Sequence, residues 1–200
     1  VSDKEKYPTF ARTFPPTSQV TSSIISLLLH YNWRRFTLVV GKSHKLQTIA
    51  KKLLEQAKVH NITLNDRQEY QDPHLPLTLG NPFPGIVERT FIDTRIYVML
   101  GDINAVVDFM KNLHDRGLLD TGEYVVIYVD HDTFDPTVPL KYFKRTADKP
   151  NDPGNIDAAR SLLVVTPSPP SNPEYHIFHE AVNDFNEKPN PIVVKPYGSA

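Results

Sequence analysis

The sequence predicts an α/β fold: a three-layer sandwich in which a mainly parallel central sheet lies between helices. Three observations predict it. Short strand-like runs of aliphatic and β-branched residues alternate along the chain with longer stretches whose apolar residues recur at helical spacing. Two of the runs read as buried strands that stop at a glycine, at Gly41 and Gly101. Aliphatic and aromatic residues make up 40% of 200 residues, enough to bury a core of ordinary domain size.

The elements follow in order. Residues 17–32 have helical spacing, with Val20, Ile24, Leu27, Leu28 and Tyr31 on one side and Thr17 or Ser18 as cap. Phe36 to Val40 reads as a buried strand. Ser43 is the expected N-cap of a second helix, in which Leu46, Ile49, Ala50, Leu53 and Ala57 lie opposite Lys51, Lys52 and Glu55. Ile62 to Leu64 opens a more exposed strand. Residues 71–85, rich in Pro, Gly and Asn, read as a loop, and a weak helix follows over Pro84 to Ile92.

Arg95 to Leu100 is the third strand. Asp102 caps a helix in which Ile103, Val106, Met110 and Leu113 share a face, and Gly117 stands where a C-terminal cap belongs. Tyr124 to Val129 and Ser161 to Thr166 are the fourth and fifth strands, and Thr146 to Asn155 reads as a surface loop. Asn172-Pro173 is a cap followed by a first-turn proline. The helix it opens is expected to bury Tyr175, Phe178, Val182 and Phe185, and Ile192 to Lys195 to form a last strand.

Composition removes several function classes. The chain carries 22 basic and 23 acidic residues, so no global field argues for nucleic acid as a partner. Its longest apolar runs, such as Ile24 to Leu29, are far shorter than the roughly 20 residues a membrane helix needs. Cysteine is absent, which excludes a disulfide, a thiolate zinc site and a cysteine nucleophile within these residues. Asn61-Ile62-Thr63 is an acceptor sequence for N-glycosylation.

Chemical motifs are sparse. Gly41-Lys42-Ser43 lies between a strand and a helix, but a phosphate-binding loop needs another glycine where Phe36 stands, inside the strand. A turn with a helix cap explains it. Asp130-His131-Asp132 follows the fourth strand, where carboxylates and imidazole can hold a divalent metal. A calcium loop would need a central glycine and a closing glutamate, and neither is present. No nucleophile elbow, paired-histidine zinc helix or dinucleotide fingerprint occurs, so neither a cofactor nor a metal is expected. Of the eight histidines, His176 and His179 alone share helical spacing, and both read as surface residues.

The opening is more informative. Phe10-Ala11-Arg12-Thr13-Phe14-Pro15-Pro16, then a helix ending at Tyr31-Asn32-Trp33, then an apolar strand, resembles the crossing between the two lobes of type I periplasmic-binding-protein modules. Arg116-Gly117-Leu118, Leu162 to Pro170 and Asn172-Pro173-Glu174-Tyr175 follow the same family order. Within that family the opening and the Asn-Pro-Glu-Tyr stretch are most similar to receptor guanylate cyclases of the natriuretic-peptide-receptor type. The chain departs from those receptors in lacking the cysteines they carry in this region.

The resemblance implies a partial receptor ligand-binding domain: a hinge crossing at about 7–16, a second lobe at about 17–195, and a second crossing from about 196. It implies an extracellular location, an unknown small-molecule or peptide ligand, a homodimer formed through the full ectodomain, and a membrane span and cyclase domain outside these residues. Arg12 and Thr13 would lie at the hinge. Crevices of open parallel sheets lie beyond the carboxyl ends of the strands. That geometry selects Gly41, Ser43, His44, Gly101, Asp102, Asp130, His131, Thr133, Pro167 and Ser168 as cleft candidates. Two other readings stand beside it: a small metal-dependent α/β enzyme using Asp130, His131 and Asp132, and a soluble solute-binding protein.

Overall fold

A computed structural model of the chain describes residues 5–6, 16–130, 157–168 and 172–187. The expected last strand at Ile192 to Lys195 and the loop at Thr146 to Asn155 lie outside the described residues. The chain divides into two compact units, Val1–Pro167 and Ser168–Ala200.

The first unit contains helix α1 (Thr17–His30), strand β1 (Arg35–Gly41), helix α2 (His44–Val59) and strand β2 (Thr63–Tyr70). After them come the short helical turn α3 (Pro76–Leu79), helix α4 (Phe83–Thr90), strand β3 (Ile96–Leu100), helix α5 (Ile103–Asp115), and strands β4 (Val125–Val129) and β5 (Leu162–Val165). Among the described residues the sheet has five strands in the order β2-β1-β3-β4-β5, every pair parallel.

Side-chain alternation along the strands explains the three layers. Phe36, Leu38 and Val40 of β1, Ile96, Val98 and Leu100 of β3, and Ile127 and Val129 of β4 pack with α1 and α2. Val39, Tyr97, Met99, Val126 and Tyr128 take the opposite face, with Phe83, Ile86 and Val87 of α4 and Val106, Phe109, Met110 and Leu113 of α5. The expected stripe on α2 is buried in full. Burying a leucine such as Leu53 or Leu38, both fully enclosed, contributes about 1.5–3 kcal/mol each.

The cap expected for α1 needs correction. The N-cap of α1 is Pro16, not Thr17 or Ser18, and no side chain caps it. Pro16 is itself extended, with ψ 145°, and has no N–H to bond backwards, so the helical residues begin directly after it at Thr17. Strand β2, expected to open at Ile62 to Leu64, runs on to Tyr70, paired with β1 from Arg35↔Thr63 to Gly41↔Tyr70. Gly117 does take the left-handed conformation expected of a C-terminal cap, with φ 67°.

The amino edge of the sheet is knitted by polar bonds. The Thr37 and Thr94 hydroxyls are 2.6 Å apart and buried. The Tyr97 hydroxyl is 2.9 Å from Thr90 Oγ1, while Tyr124 donates to the Phe91 carbonyl at 2.8 Å. Asn65 Nδ2 donates to the Asp93 carbonyl at 2.7 Å. Arg95 lies over the Tyr124 ring and donates to the Phe91 carbonyl. Burial pushes the Tyr97 phenol up to about 12.

The second unit, described by itself, contains helix α6 (Pro173–Glu187), which begins at the predicted proline. Phe178 and Phe185 are exposed, contrary to the buried side expected of them. No helix among the described residues is long and apolar enough to cross a membrane.

Candidate functional site

The strand order decides where a site can form. From β1 the chain passes to β2 on one side, while β3, β4 and β5 extend on the other. The carboxyl ends of β1 and β3 therefore part at a topological switch point, the place where open α/β sheets bind ligands.

Seven predicted residues come to this carboxyl edge. Gly41 ends β1, and the Lys42 amide just beyond it donates to the Tyr70 carbonyl at 3.0 Å, joining the ends of β1 and β2. Ser43 occupies the N-cap of α2 without a side-chain capping bond, and His44, its first helical residue, is exposed. Gly101 and Asp102 follow β3. Asp130 follows β4 and is buried, its amide donating to the Val165 carbonyl at 2.9 Å. Pro167, half-buried, lies beyond β5. Ser168 is exposed and belongs to the second unit. Arg12, Thr13, His131, Asp132 and Thr133 lie outside the described residues, and Asn61 is at the opposite edge, ahead of β2.

The two strand-end glycines have packing reasons. A Cβ on Gly41 would stand 2.7 Å from Asp72 Cβ and 2.8 Å from a Leu46 methyl. On Gly101 it would overlap the Tyr70 hydroxyl. Both backbones are thus covered from the β2 side, by Asp72 and Tyr70, which sequence spacing did not select.

Those residues form a clasp. Beyond Tyr70 the chain turns through a cis Asp72–Pro73 bond to His74, whose amide donates to Asp102 Oδ2 at 2.9 Å. Asp102 Oδ1 accepts from the Ala105 amide at 3.0 Å, so one carboxylate caps α5 and holds the β2 loop. The His74 ring reaches further, its Nε2 lying 2.7 Å from Asp108 Oδ2, with both side chains about 97% buried. Phe83 packs against the same imidazole, with ring centroids 4.7 Å apart.

Tyr70 differs from its neighbours. Its hydroxyl is buried without a well-formed hydrogen bond. Burial pushes its ionisation far above the ordinary phenol range, and the nearby Asp102 and Asp72 carboxylates add to the effect. It stays a neutral phenol wedged under Gly101. The two residues are 31 positions apart, so no local pattern points to the contact.

On the rim, Arg67 of β2 bonds Gln47 of α2 and Glu69, the latter at 2.8 Å, and Gln47 Nε2 donates to the Gly41 carbonyl at 3.0 Å. Among the described residues no three histidine, aspartate or glutamate side chains stand together as metal ligands. Nothing in this arrangement poises a nucleophile beside a base. It is a rim of mixed polarity, cross-linked by side-chain hydrogen bonds.

A family model described as the receptor family ligand binding region matches residues 1–197. The chain belongs to that family. Receptor-type guanylate cyclase Gyc76C of Drosophila melanogaster is 35% identical over 196 residues, which cover 91% of this chain and 13% of the fly protein. Guanylate cyclase 32E of the same fly is 32% identical over 185 residues, covering 88% of this chain and 16% of that protein. The resact receptor of Arbacia punctulata is 30% identical over 215 residues, or 92% of this chain and 21% of the sea-urchin protein. The chain therefore spans between an eighth and about a fifth of these relatives. Membership of a receptor ligand-binding region of periplasmic-binding-protein-like fold accounts for the parallel sheet with flanking helices.

Proposed function

We propose that this chain is a lobe of the extracellular ligand-binding domain of a single-span receptor guanylate cyclase. Ligand binding there is coupled to cyclic GMP production by a cytoplasmic domain outside these residues. The observation that carries the reading is the family match along residues 1–197, supported by receptor guanylate cyclases among the relatives. In this reading a small molecule or peptide enters at the carboxyl edge, between the turn of Gly41, Ser43 and His44 and the turn of Gly101 and Asp102. Asp130, His131, Thr133, Pro167 and Ser168 complete the cleft. Arg12 and Thr13 serve as the hinge, and two copies of the ectodomain signal as a dimer whose arrangement shifts with ligand.

The test uses the full-length receptor with an epitope in its ectodomain, expressed in cultured cells. Antibody should label intact cells. Cyclic GMP should rise on exposure to one size fraction of source-tissue extract, either below or at peptide size, and His44→Ala should blunt that rise. His44 suits the purpose because its exposed side chain has no part in the core. Labelling seen only in permeabilised cells would overturn the extracellular reading. A full response in the His44 variant would remove that turn from the cleft.

A further inference from the structure

We infer that Asn61 carries an N-linked oligosaccharide, and that this glycan marks the amino edge of the sheet as a face left open to solvent in the assembled receptor. The inference rests on the extracellular reading above.

Asn61-Ile62-Thr63 is the one Asn-x-Ser/Thr sequence in the 200 residues with a non-proline centre. Its local structure presents it well. Helix α2 ends at Val59, and Asn61 follows in the left-handed conformation, with φ 53°, which asparagine tolerates better than most residues. The Ile62 amide donates back to the Ala57 carbonyl at 2.9 Å, and the Ile62 side chain is only 4% exposed. Anchoring the middle residue inward leaves Asn61 and Thr63 exposed on either side of it.

The carboxamide of Asn61 is also uncommitted: it makes no hydrogen bond among the described residues. Asn32 provides the contrast. It is the other described non-glycine residue with positive φ, but its Oδ1 accepts from Arg34 Nε at 3.0 Å, and Arg34 stands where the acceptor sequence would need a hydroxyl.

The reaction needs a polyprenyl-diphosphate-linked oligosaccharide as co-reactant. A bond forms between Asn61 Nδ2 and the anomeric carbon of the first sugar, while the bond from that carbon to the diphosphate oxygen breaks. The diphosphate leaves with the electron pair, and the amide gives up one proton.

Position supplies the second half of the inference. Asn61 precedes β2, and the cleft candidates lie past the other end of the same parallel sheet. Seven residue steps at strand rise separate Thr63 from Tyr70 by roughly 23 Å. A glycan at Asn61 therefore leaves the carboxyl edge accessible. It also prevents a second copy of the chain from packing its surface onto this turn, so contacts between copies must use other faces.

The experiment purifies the full-length receptor from the surface of cultured animal cells and maps the tryptic peptide Val59–Arg67. The expected result is aspartate at position 61 after release with a glycan amidase. Asn61→Gln and Thr63→Ala should each abolish the amidase-sensitive change on that peptide, and Thr63→Ser should restore it. A surface-derived receptor whose peptide carries unmodified Asn61 overturns this inference and leaves the extracellular reading intact. A receptor found only in the cytosol overturns both.

Discussion

The amino and carboxyl edges of the sheet bury polar groups in opposite ways. At the amino edge the buried hydroxyls pair with one another, Thr37 with Thr94 and Tyr97 with Thr90. At the carboxyl edge an imidazole meets a carboxylate, His74 against Asp108, and the Tyr70 hydroxyl lacks a well-formed bond altogether. The amino edge is held by paired hydroxyls. The carboxyl edge is held by a long-range clasp and a wedge. Buried polar groups held in a fixed network rigidify the edge they lie under.

His74→Ala is the strongest way to break the comparison. It removes a buried imidazole from a buried carboxylate and empties space beside Phe83, so unfolding free energy should fall by about 3 kcal/mol or more. Urea denaturation of the ectodomain measures it, and a loss as small as that of a surface substitution would show that the clasp contributes little.

Gly101→Ala is the next largest. Its methyl group meets the Tyr70 hydroxyl, and the expected cost is about 1–3 kcal/mol of overpacking. In a Tyr70→Phe background the same substitution should cost less, since the overlapping oxygen is gone. Equal costs in both backgrounds would mean that the backbone, not the phenol, resists the change.

The finest contrast sets the two tyrosines against each other. Tyr97→Phe breaks a bond to Thr90 and should lose about 1 kcal/mol in thermal unfolding. Tyr70→Phe removes a buried hydroxyl that has no well-formed bond, so it should be neutral or stabilising. A loss of similar size in both would erase the distinction between the edges.

Much of the architecture was legible because periodicity is a local property. The α2 stripe and the runs that became β1, β3 and β4 announce themselves within a dozen residues, and their order points to a parallel sheet. The far half of β2 was not legible. Asn65-Asp66-Arg67-Gln68-Glu69 has neither apolar alternation nor β-branched residues, and it is a strand because β1 offers it a ladder. Topology alone brings Gly41, Ser43, His44, Gly101, Asp102, Asp130 and Pro167 to one edge. The side chains that shape that edge, Tyr70, Asp72, His74 and Asp108, escaped because each acts across tens of residues. Only their partners Gly41, Gly101 and Asp102 left a signal, as a strand-ending glycine or a helix cap.

Among the described residues β2 is the outermost strand on its side, and its polar sequence then takes on another meaning. An open strand edge is a template onto which any extended chain can add. Arg67 is tied to Glu69 and Gln47, and Arg89 donates to Gln68 at 2.8 Å, so a cross-linked row of charged and amide groups runs along that flank. An invading strand would have to lay its own side chains beside these charged and amide groups, with no apolar surface gained in return. The stretch that was hardest to recognise as a strand is thereby well guarded against aggregation.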